Sequence, residues 1–356
     1  MKRAEAVFVV MAGGKGERLW PLVRVKVPKA CVSVDGARSL LEATLQRLQP
    51  LASPRDLLIV TTQPQVRSIR RRLPPSFQRT VLIEPAPRNT AACIGLAAAS
   101  LAEQDPTQVM VVLPADHWIH PVAAFHRSLH AAITTAQQSR QLVMIGIRPR
   151  RVHPGLGHLC VQERSTSRYG CRVFRLARFV EKPPRAIVQR LMRQGTTYWN
   201  AGIFVGQAGV FVEQMQRWLP GHAARLVPLA RQINRPGFHR RAAVAYRALR
   251  AISFDHGVMA HVREGSVVEG RFAWEDLGSW DSWVRICRPT APALAMGGKA
   301  VHVVSPNGHL VATVGLRDTI IVHTPDATLV CRTQDAQAVR DLVARLAMDR
   351  RLARYC

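Results

Sequence analysis

Residues 6–12 read Ala-Val-Phe-Val-Val-Met-Ala, seven apolar positions without a polar break, and Gly13-Gly-Lys-Gly16 follows at once. A strand with one face in water alternates. A continuous apolar run means that both faces are covered, as for a strand inside a parallel sheet flanked by helices. Such a strand commits the rest of the chain to supplying helices, and the sequence does so. Ser39–Leu48 carries Leu41, Leu45 and Leu48 at helical spacing. Leu57–Thr61 reads as a strand and is followed by a basic helix to Leu73. Val81–Ile83, Val109–Leu113 and Leu142–Ile147 read as further strands, with helices predicted over Thr90–Glu103 and Pro121–Gln138. Repeated β-α-β units imply an α/β fold with an open, Rossmann-like, mostly parallel sheet. Ligands of such a sheet sit beyond the carboxyl ends of its strands.

The pattern changes twice. Residues 155–206 hold longer strand-like runs (Leu159–Glu163, Arg172–Val180, Gly202–Gly206) with one helix between, and read as an inserted lobe for a second substrate. Helices are expected over 207–262. From about 290, short β runs (Lys299–Val304, Leu310–Val314, Ile320–His323, Thr328–Cys331) alternate with turns. A closing helix over 334–348 puts Val339, Leu342, Val343 and Leu346 on one face. The expected division is therefore 1–288 for a catalytic domain and 289–356 for a small β-rich C-terminal domain ending in a helix.

Several classes are excluded by composition. Of 356 residues, 47% are hydrophobic and 21% charged, an ordinary globular balance. No apolar run approaches the ~18 residues that span a bilayer. Lys2 and Arg3 before Val7–Ala12 imitate a signal peptide only faintly, because Glu5 interrupts and the run is short. Seven scattered cysteines without a Cys-x-x-Cys pair suit a reducing compartment, so the expected location is cytoplasmic, with no membrane partner. The net charge of +27 raises the prospect of polyanion binding. The basic residues are dispersed, however, and lack the interleaved aromatics of a single-strand binder. Only six of the 50 are Lys. Arginine substituted for lysine over the surface explains this better than nucleic-acid binding does.

The glycine loop carries the strongest chemistry. Its glycines let the backbone approach a ligand without a Cβ clash, and their N–H groups can converge on an anion. Lys15 and Arg18 add fixed positive charge, and Pro28-Lys29 supplies another cation before a β-like run, Ala30–Val34, and an Asp35-Gly36 turn. The loop fits neither a Walker A motif nor Gly-x-Gly-x-x-Gly, since Leu19 stands at the last position. Asp116 follows the strand Val109–Leu113, at the sheet's carboxyl edge, and Asp276 lies in a turn-like Asp-Leu-Gly-Ser-Trp. Read locally, Asp116 and Asn89 could equally cap helices, Glu181-Lys182 could be a solvated pair, and Tyr198-Trp199 could be core. His117 and His120 have a metal-like spacing without a third ligand and read as structural.

Taken together the motifs resemble a known family. Ala12-Gly-Gly-Lys-Gly-Glu-Arg-Leu-Trp-Pro-Leu22 with Pro28-Lys29 looks like the signature of sugar-1-phosphate nucleotidyltransferases. Glu84-Pro-Ala-Pro-Arg-Asn-Thr-Ala91, Leu113-Pro-Ala-Asp-His117, Phe179-Val-Glu-Lys-Pro183, Tyr198-Trp-Asn-Ala-Gly-Ile-Phe204 and Glu275-Asp-Leu-Gly-Ser-Trp280 follow in order. With the tail Gly315–Cys331 they resemble the mannose-1-phosphate guanylyltransferases of the bacterial type. The chain stops without the isomerase-type barrel of longer relatives. The resemblance implies transfer of GMP from GTP to mannose 1-phosphate, with Mg²⁺ as cofactor and with Asp116 and Asp276 as metal ligands. It implies catalytic roles for Arg18 and Lys29. Nucleotide contacts fall to Ala12, Gly13, Gly14, Lys15, Gly16, Glu84, Asn89, Thr90 and Asp116, and sugar-phosphate contacts to Gly157, Glu181, Lys182 and Asn200. A homo-oligomer is left open.

Departures from the family pattern fall at Glu17, Val23, Leu156, His158 and Ala201, and at Ala260-His261, where relatives carry Glu-Lys. These leave two alternatives, a sister enzyme for another sugar or base and a catalytically weak regulatory paralogue.

Overall fold

A computed structural model describes residues 5–34, 36–287, 293–306 and 308–356. The boundary expected at 288/289 lies outside the described residues, as does Asp35 of the expected turn. The apolar run forms β1 (Val7–Met11), and the first half of the chain then alternates as its patterning requires. The order is α1 (Leu40–Leu48), β2 (Leu57–Thr62), α2 (Val66–Arg72), β3 (Val81–Glu84), α3 (Asn89–Gln104), β4 (Val109–Pro114), β5 (Trp118–His120), α4 (Val122–Gln138) and β6 (Leu142–Ile147). At the start of α1, the Ser39 side chain accepts from the Glu42 N–H while Glu42 accepts from the Ser39 N–H, so two orphan donors of the first turn are satisfied.

A long hairpin follows, β7 (His158–Arg168) and β8 (Cys171–Val180), then α5 (Arg185–Arg193) and β9 (Thr197–Gln207). Helices α6 (Ala208–Trp218), α7 (Pro220–Ala230), α8 (Phe238–Arg247) and the short α9 (Phe254–Gly257) lead to β10 (Gly265–Gly270), β11 (Ala273–Glu275) and α10 (Trp280–Ile286). These strands make one nine-stranded sheet in the order β3-β2-β1-β4-β9-β6-β10-β8-β7, while β11 pairs with β5 apart from it. β3, β2, β1 and β4 are mutually parallel, as are β6 and β10. The expected inserted lobe is the β7–β8 hairpin at the sheet edge. It does not stand alone: β7 also pairs with β9 through His158–Cys160, and β9 runs antiparallel between β4 and β6 at the centre of the sheet.

Alternate side chains of the central strands feed two cores. Phe8, Val10, Ile59, Val111 and Ile145 face one side, with α1 and α4. Val9, Val60, Met110, Val112 and Met144 face the other, with α3 and α6–α9. Both faces are thus covered, which is why β1 could not alternate.

The C-terminal part contributes β12 (Ala293–Met296), β13 (Lys299–Val304), β14 (Val311–Val314), β15 (Arg317–Thr324) and β16 (Ala327–Arg332), then a 3-10 segment, Thr333–Ala338, and α11 (Val339–Met348). The single helix predicted over 334–348 is thus a 3-10 segment running into an α-helix. β12 pairs with β14, and β13-β15-β16 form a second small sheet. A third core joins this unit to the glycine-loop region: Leu19, Trp20 and Val23 meet Trp280, Trp283, Ile320, Val322, Leu329 and Val339. The Trp280 indole donates to the Trp20 carbonyl at 2.9 Å, and the Trp20 indole donates to the Tyr355 carbonyl at 2.7 Å. No helix among the described residues is long and apolar enough to cross a membrane.

Candidate active site

The carboxyl ends of β3, β2, β1 and β4 carry Glu84, Thr62, Gly13 and Asp116 into one cleft of about 310 Å³. Gly14, Lys29, Arg88, Asn89, Thr90 and Asp276 also line it, and Thr62 is a wall residue that sequence reasoning missed. The loop is held by backbone contacts. The Ala12 N–H donates to Val60 O at 2.8 Å, and Ala12 O accepts from the Thr61 hydroxyl at 3.0 Å. Gly16 has φ +63°, and a Cβ there would lie 2.9 Å from the Lys29 Cβ. Glycine is required at that position on both counts. Among the described residues, the N–H groups of Gly13, Gly14, Lys15 and Gly16 have no hydrogen-bond partner. Four free donors beside Lys15, 69% exposed, make an anion cradle. Arg18 sits half-buried on the 3-10 turn Glu17–Leu19, outside the cleft wall.

Lys29 is buried, and its segment corrects an expectation. The β-like run Ala30–Val34 is instead a 3-10 turn over Lys29–Cys31, closed by Cys31 N–H to Pro28 O. The turn aims the Lys29 ammonium inward, 2.9 Å from Asp116 Oδ2 and 2.5 Å from the Asp276 carbonyl. Burial works to raise the Asp116 carboxyl. The adjacent ammonium and the hydrogen bonds made to the carboxylate outweigh it and hold the group below its usual range. Asp116 is therefore no helix cap. Asp276 accepts the Gly278 N–H on Oδ1 at 3.1 Å. His117 also lines the cleft; it accepts from the Trp274 indole at 3.1 Å, and burial pushes its imidazole down to about 4. His120 is exposed at the end of β5.

Glu84 is buried at the inner end of the cleft and accepts from the Tyr246 hydroxyl at 3.0 Å. Burial, only partly offset by that hydrogen bond, pushes its carboxyl up to about 8. Asn89 takes φ +63° and accepts the Thr90 N–H on its own side chain, and the Thr90 hydroxyl accepts the Phe254 N–H at 2.9 Å.

A second group gathers where β8 ends and β9 begins. Glu181 Oε1 lies 3.3 Å from Lys182 Nζ. A Cβ on Gly157 would fall 3.0 Å from Glu181 Oε2, so glycine permits the approach. The Asn200 N–H donates to Gly157 O at 2.9 Å, and its amide donates to Asp255 Oδ1 at 2.6 Å. Asp255 was not anticipated. Burial and the neighbouring Glu181 charge push its carboxyl up to about 6. The one signal that could have found it is an acid within Ser253-Phe-Asp-His, at the only acidic position between Glu213 and Glu264. Tyr198 and Trp199 are buried in opposite faces of the core. His158 is fully buried and hydrogen-bonds Leu156 O, while His261 is exposed and stacks on Trp218 at 5.0 Å. Neither side chain lines the cleft.

A phosphate cradle and two carboxylates at the carboxyl edge of a mostly parallel sheet, with a polar lobe opposite, define a nucleotide-handling α/β enzyme. Comparison with known proteins agrees. The model of the family "Nucleotidyl transferase" matches residues 7–291, and that of the "MannoseP isomerase/GMP-like beta-helix domain" matches residues 300–346. A putative mannose-1-phosphate guanylyltransferase of Vibrio cholerae is 32% identical over 96% of this chain and 75% of its own length. The mannose-1-phosphate guanylyltransferase of Escherichia coli is 31% identical over 99% and 75%. A crystal structure from Thermus thermophilus, described as a "mannose-1-phosphate geranyltransferase", superposes with TM-score 0.83 at 30% identity, covering 96% of this chain and 99% of that one. The chain belongs to the nucleotidyl transferase family and, within it, to the mannose-1-phosphate guanylyltransferases.

Proposed function

We infer that this protein transfers GMP from GTP to mannose 1-phosphate, giving GDP-mannose and pyrophosphate. The observation that carries the residue assignment is Lys29 bridging Asp116 and the Asp276 backbone directly beside the glycine cradle. A phosphate oxygen of mannose 1-phosphate attacks the α-phosphorus of GTP. The new O–P bond forms as the bond to the β-phosphate oxygen breaks, and pyrophosphate leaves. The nucleophile is already an anion, so no general base is needed, and the protein's task is positioning and charge neutralisation.

The free N–H groups of Gly13–Gly16, with Lys15, suit the β- and γ-phosphates. Arg18 is assigned to the charge that grows on the leaving pyrophosphate, and Lys29 to aligning the phosphates. Glu84, supported by Tyr246, offers an acceptor to the base. Asn89 and Thr90 flank the ribose side of the cleft. Glu181, Asn200 and Asp255 offer acceptors and an amide to sugar hydroxyls around Gly157, with Lys182 for the sugar phosphate. Two carboxylates, Asp116 and Asp276, face one cleft. That hard-oxygen set fits Mg²⁺, which takes one or two carboxylates and completes its shell with phosphates and water. When bound, Mg²⁺ would supply charge neutralisation to the phosphates. The reading extends to a cytoplasmic enzyme acting on free small molecules.

The test is pyrophosphate release over a grid of nucleoside triphosphates and sugar 1-phosphates. GTP with mannose 1-phosphate should exceed every other pair. A different best pair would reassign the substrates, and no release from any pair would remove the catalytic reading.

A further inference from the structure

A cavity of about 710 Å³ opens between α10 and the C-terminal unit, against β15, β16 and the 3-10 segment Thr333–Ala338. Every side chain described in its walls is charged or polar. On the α10 side the charges are already matched. Arg285 donates to Asp281 at 3.1 Å and to Glu275 at 2.8 Å, and Asp281 also accepts from Ser279 and Gln337. The opposite wall is unmatched. The Arg317 and Arg332 side chains have no ion pair or hydrogen bond among the described residues, and Asp318, which also lines the cavity, pairs with neither.

Arg317 and Arg332 reach that wall from neighbouring strands. β15 and β16 are antiparallel with Thr319 opposite Arg332. Arg317 precedes Thr319 across Asp318, whose φ of +47° breaks the strand's alternation, so that Arg317 and Asp318 both line the cavity. Two unmatched like charges opening into one polar cavity lower their mutual repulsion by binding an anion between them.

We propose that this cavity is a binding site for a diphosphate group, held by Arg317 and Arg332 and separate from the nucleotide cleft. Each guanidinium presents a planar fork that takes one phosphoryl group in bidentate fashion. A diphosphate offers one such group per arginine, whereas a single phosphate would have to be shared. The volume also admits an attached nucleoside. Free pyrophosphate and a nucleoside diphosphate are the two sources of that chemistry.

The test is equilibrium dialysis of the full chain with inorganic pyrophosphate, and in a second arm with GDP, in the presence of a metal chelator. The Arg317→Ser/Arg332→Ser double variant should bind one equivalent fewer than wild type. Both residues are exposed, so the ligand-free melting temperature should not move, and pyrophosphate release from GTP should stay within about twofold. Arg317→Lys/Arg332→Lys keeps the charges and loses the forks, and should bind that equivalent at least tenfold more weakly. Loss of the equivalent in the pyrophosphate arm alone identifies the free anion as ligand. Loss in both arms, with tighter binding of GDP, identifies a nucleoside diphosphate. Equal stoichiometry and affinity in wild type and the Ser double variant overturn the proposal, as does a wild type that binds nothing beyond the equivalent lost in Lys29→Ala.

Discussion

At the scale of single residues the cleft is organised by one buried cation. Lys29 holds Asp116 ionised and fixes the Asp276 backbone, so one ammonium places the two residues that carry the carboxylates. Asp116→Asn or Asp276→Asn should abolish turnover while leaving the circular dichroism spectrum unchanged; a variant that keeps near-wild-type rate at limiting Mg²⁺ would refute the ligand assignment. Glu84 gives a pH signature. Its carboxyl sits at about 8 in the folded protein against an ordinary 4.5, so between those values the folded state binds more protons and stability falls as pH rises. Donors on the base of GTP favour the ionised form. Binding below pH 8 should therefore release a proton and tighten as pH approaches 8, which calorimetry in buffers of different ionisation heat reads directly. Undiminished release in Glu84→Gln would place the proton elsewhere. Asp255 joins the residues proposed for the sugar by contact alone, accepting from Asn200. Asp255→Ala should raise the KM for mannose 1-phosphate about tenfold or more and leave that for GTP unchanged, because a buried amide left unpaired costs about 1–3 kcal/mol. A change confined to GTP would show that the two substrates have been assigned to the wrong ends of the cleft.

At the scale of elements, strands and helices with a strong local period were legible. β1, β6 and β13 lie where the apolar runs predict, to within a residue. The short strands β5, β10, β11 and β12 were not. Gly265-Ser-Val-Val-Glu-Gly270 lacks both an apolar run and alternation, yet all six residues are buried because β6 and β8 flank it. The 3-10 turn at Lys29 was equally invisible, since its purpose lies in a partner 247 residues away. The most consequential contact between elements is the tryptophan joint of α10, the glycine-loop turn and the C-terminal strands. Trp280→Ala removes a fully buried indole and its bond to Trp20 O. It should cost about 3–5 kcal/mol in urea unfolding and lower activity, because the turn bearing Arg18 loses its floor. A loss below about 1 kcal/mol would show that the catalytic and C-terminal units are stable independently.

At the scale of the whole molecule the charge dominates. A net +27 repels itself, and the described ion pairs exposed on both sides, such as Arg140–Glu213 and Arg231–Glu103, are worth at most about 1 kcal/mol each. Raising salt from about 20 to 300 mM shortens the screening length several-fold, so the melting temperature should rise. A fall would mean that attractive pairs outweigh the repulsion.

The sequence by itself determined the α/β class and the glycine loop, and it anticipated most of the polar residues that line the cleft. The first two follow from local patterns, a two-residue or 3.6-residue period or a loop directly after a strand, and the last from the resemblance of the motifs to a known family. Tertiary structure alone decided that β9 threads antiparallel through the centre of the sheet, that Asp255 joins Asn200 and that Lys29 spans Asp116 and Asp276. It also decided that the C-terminal unit packs beneath the glycine-loop turn. Each of these pairs groups far apart in the chain. Their proximity depends on which strands hydrogen-bond and which buried faces meet, and no local period carries that information.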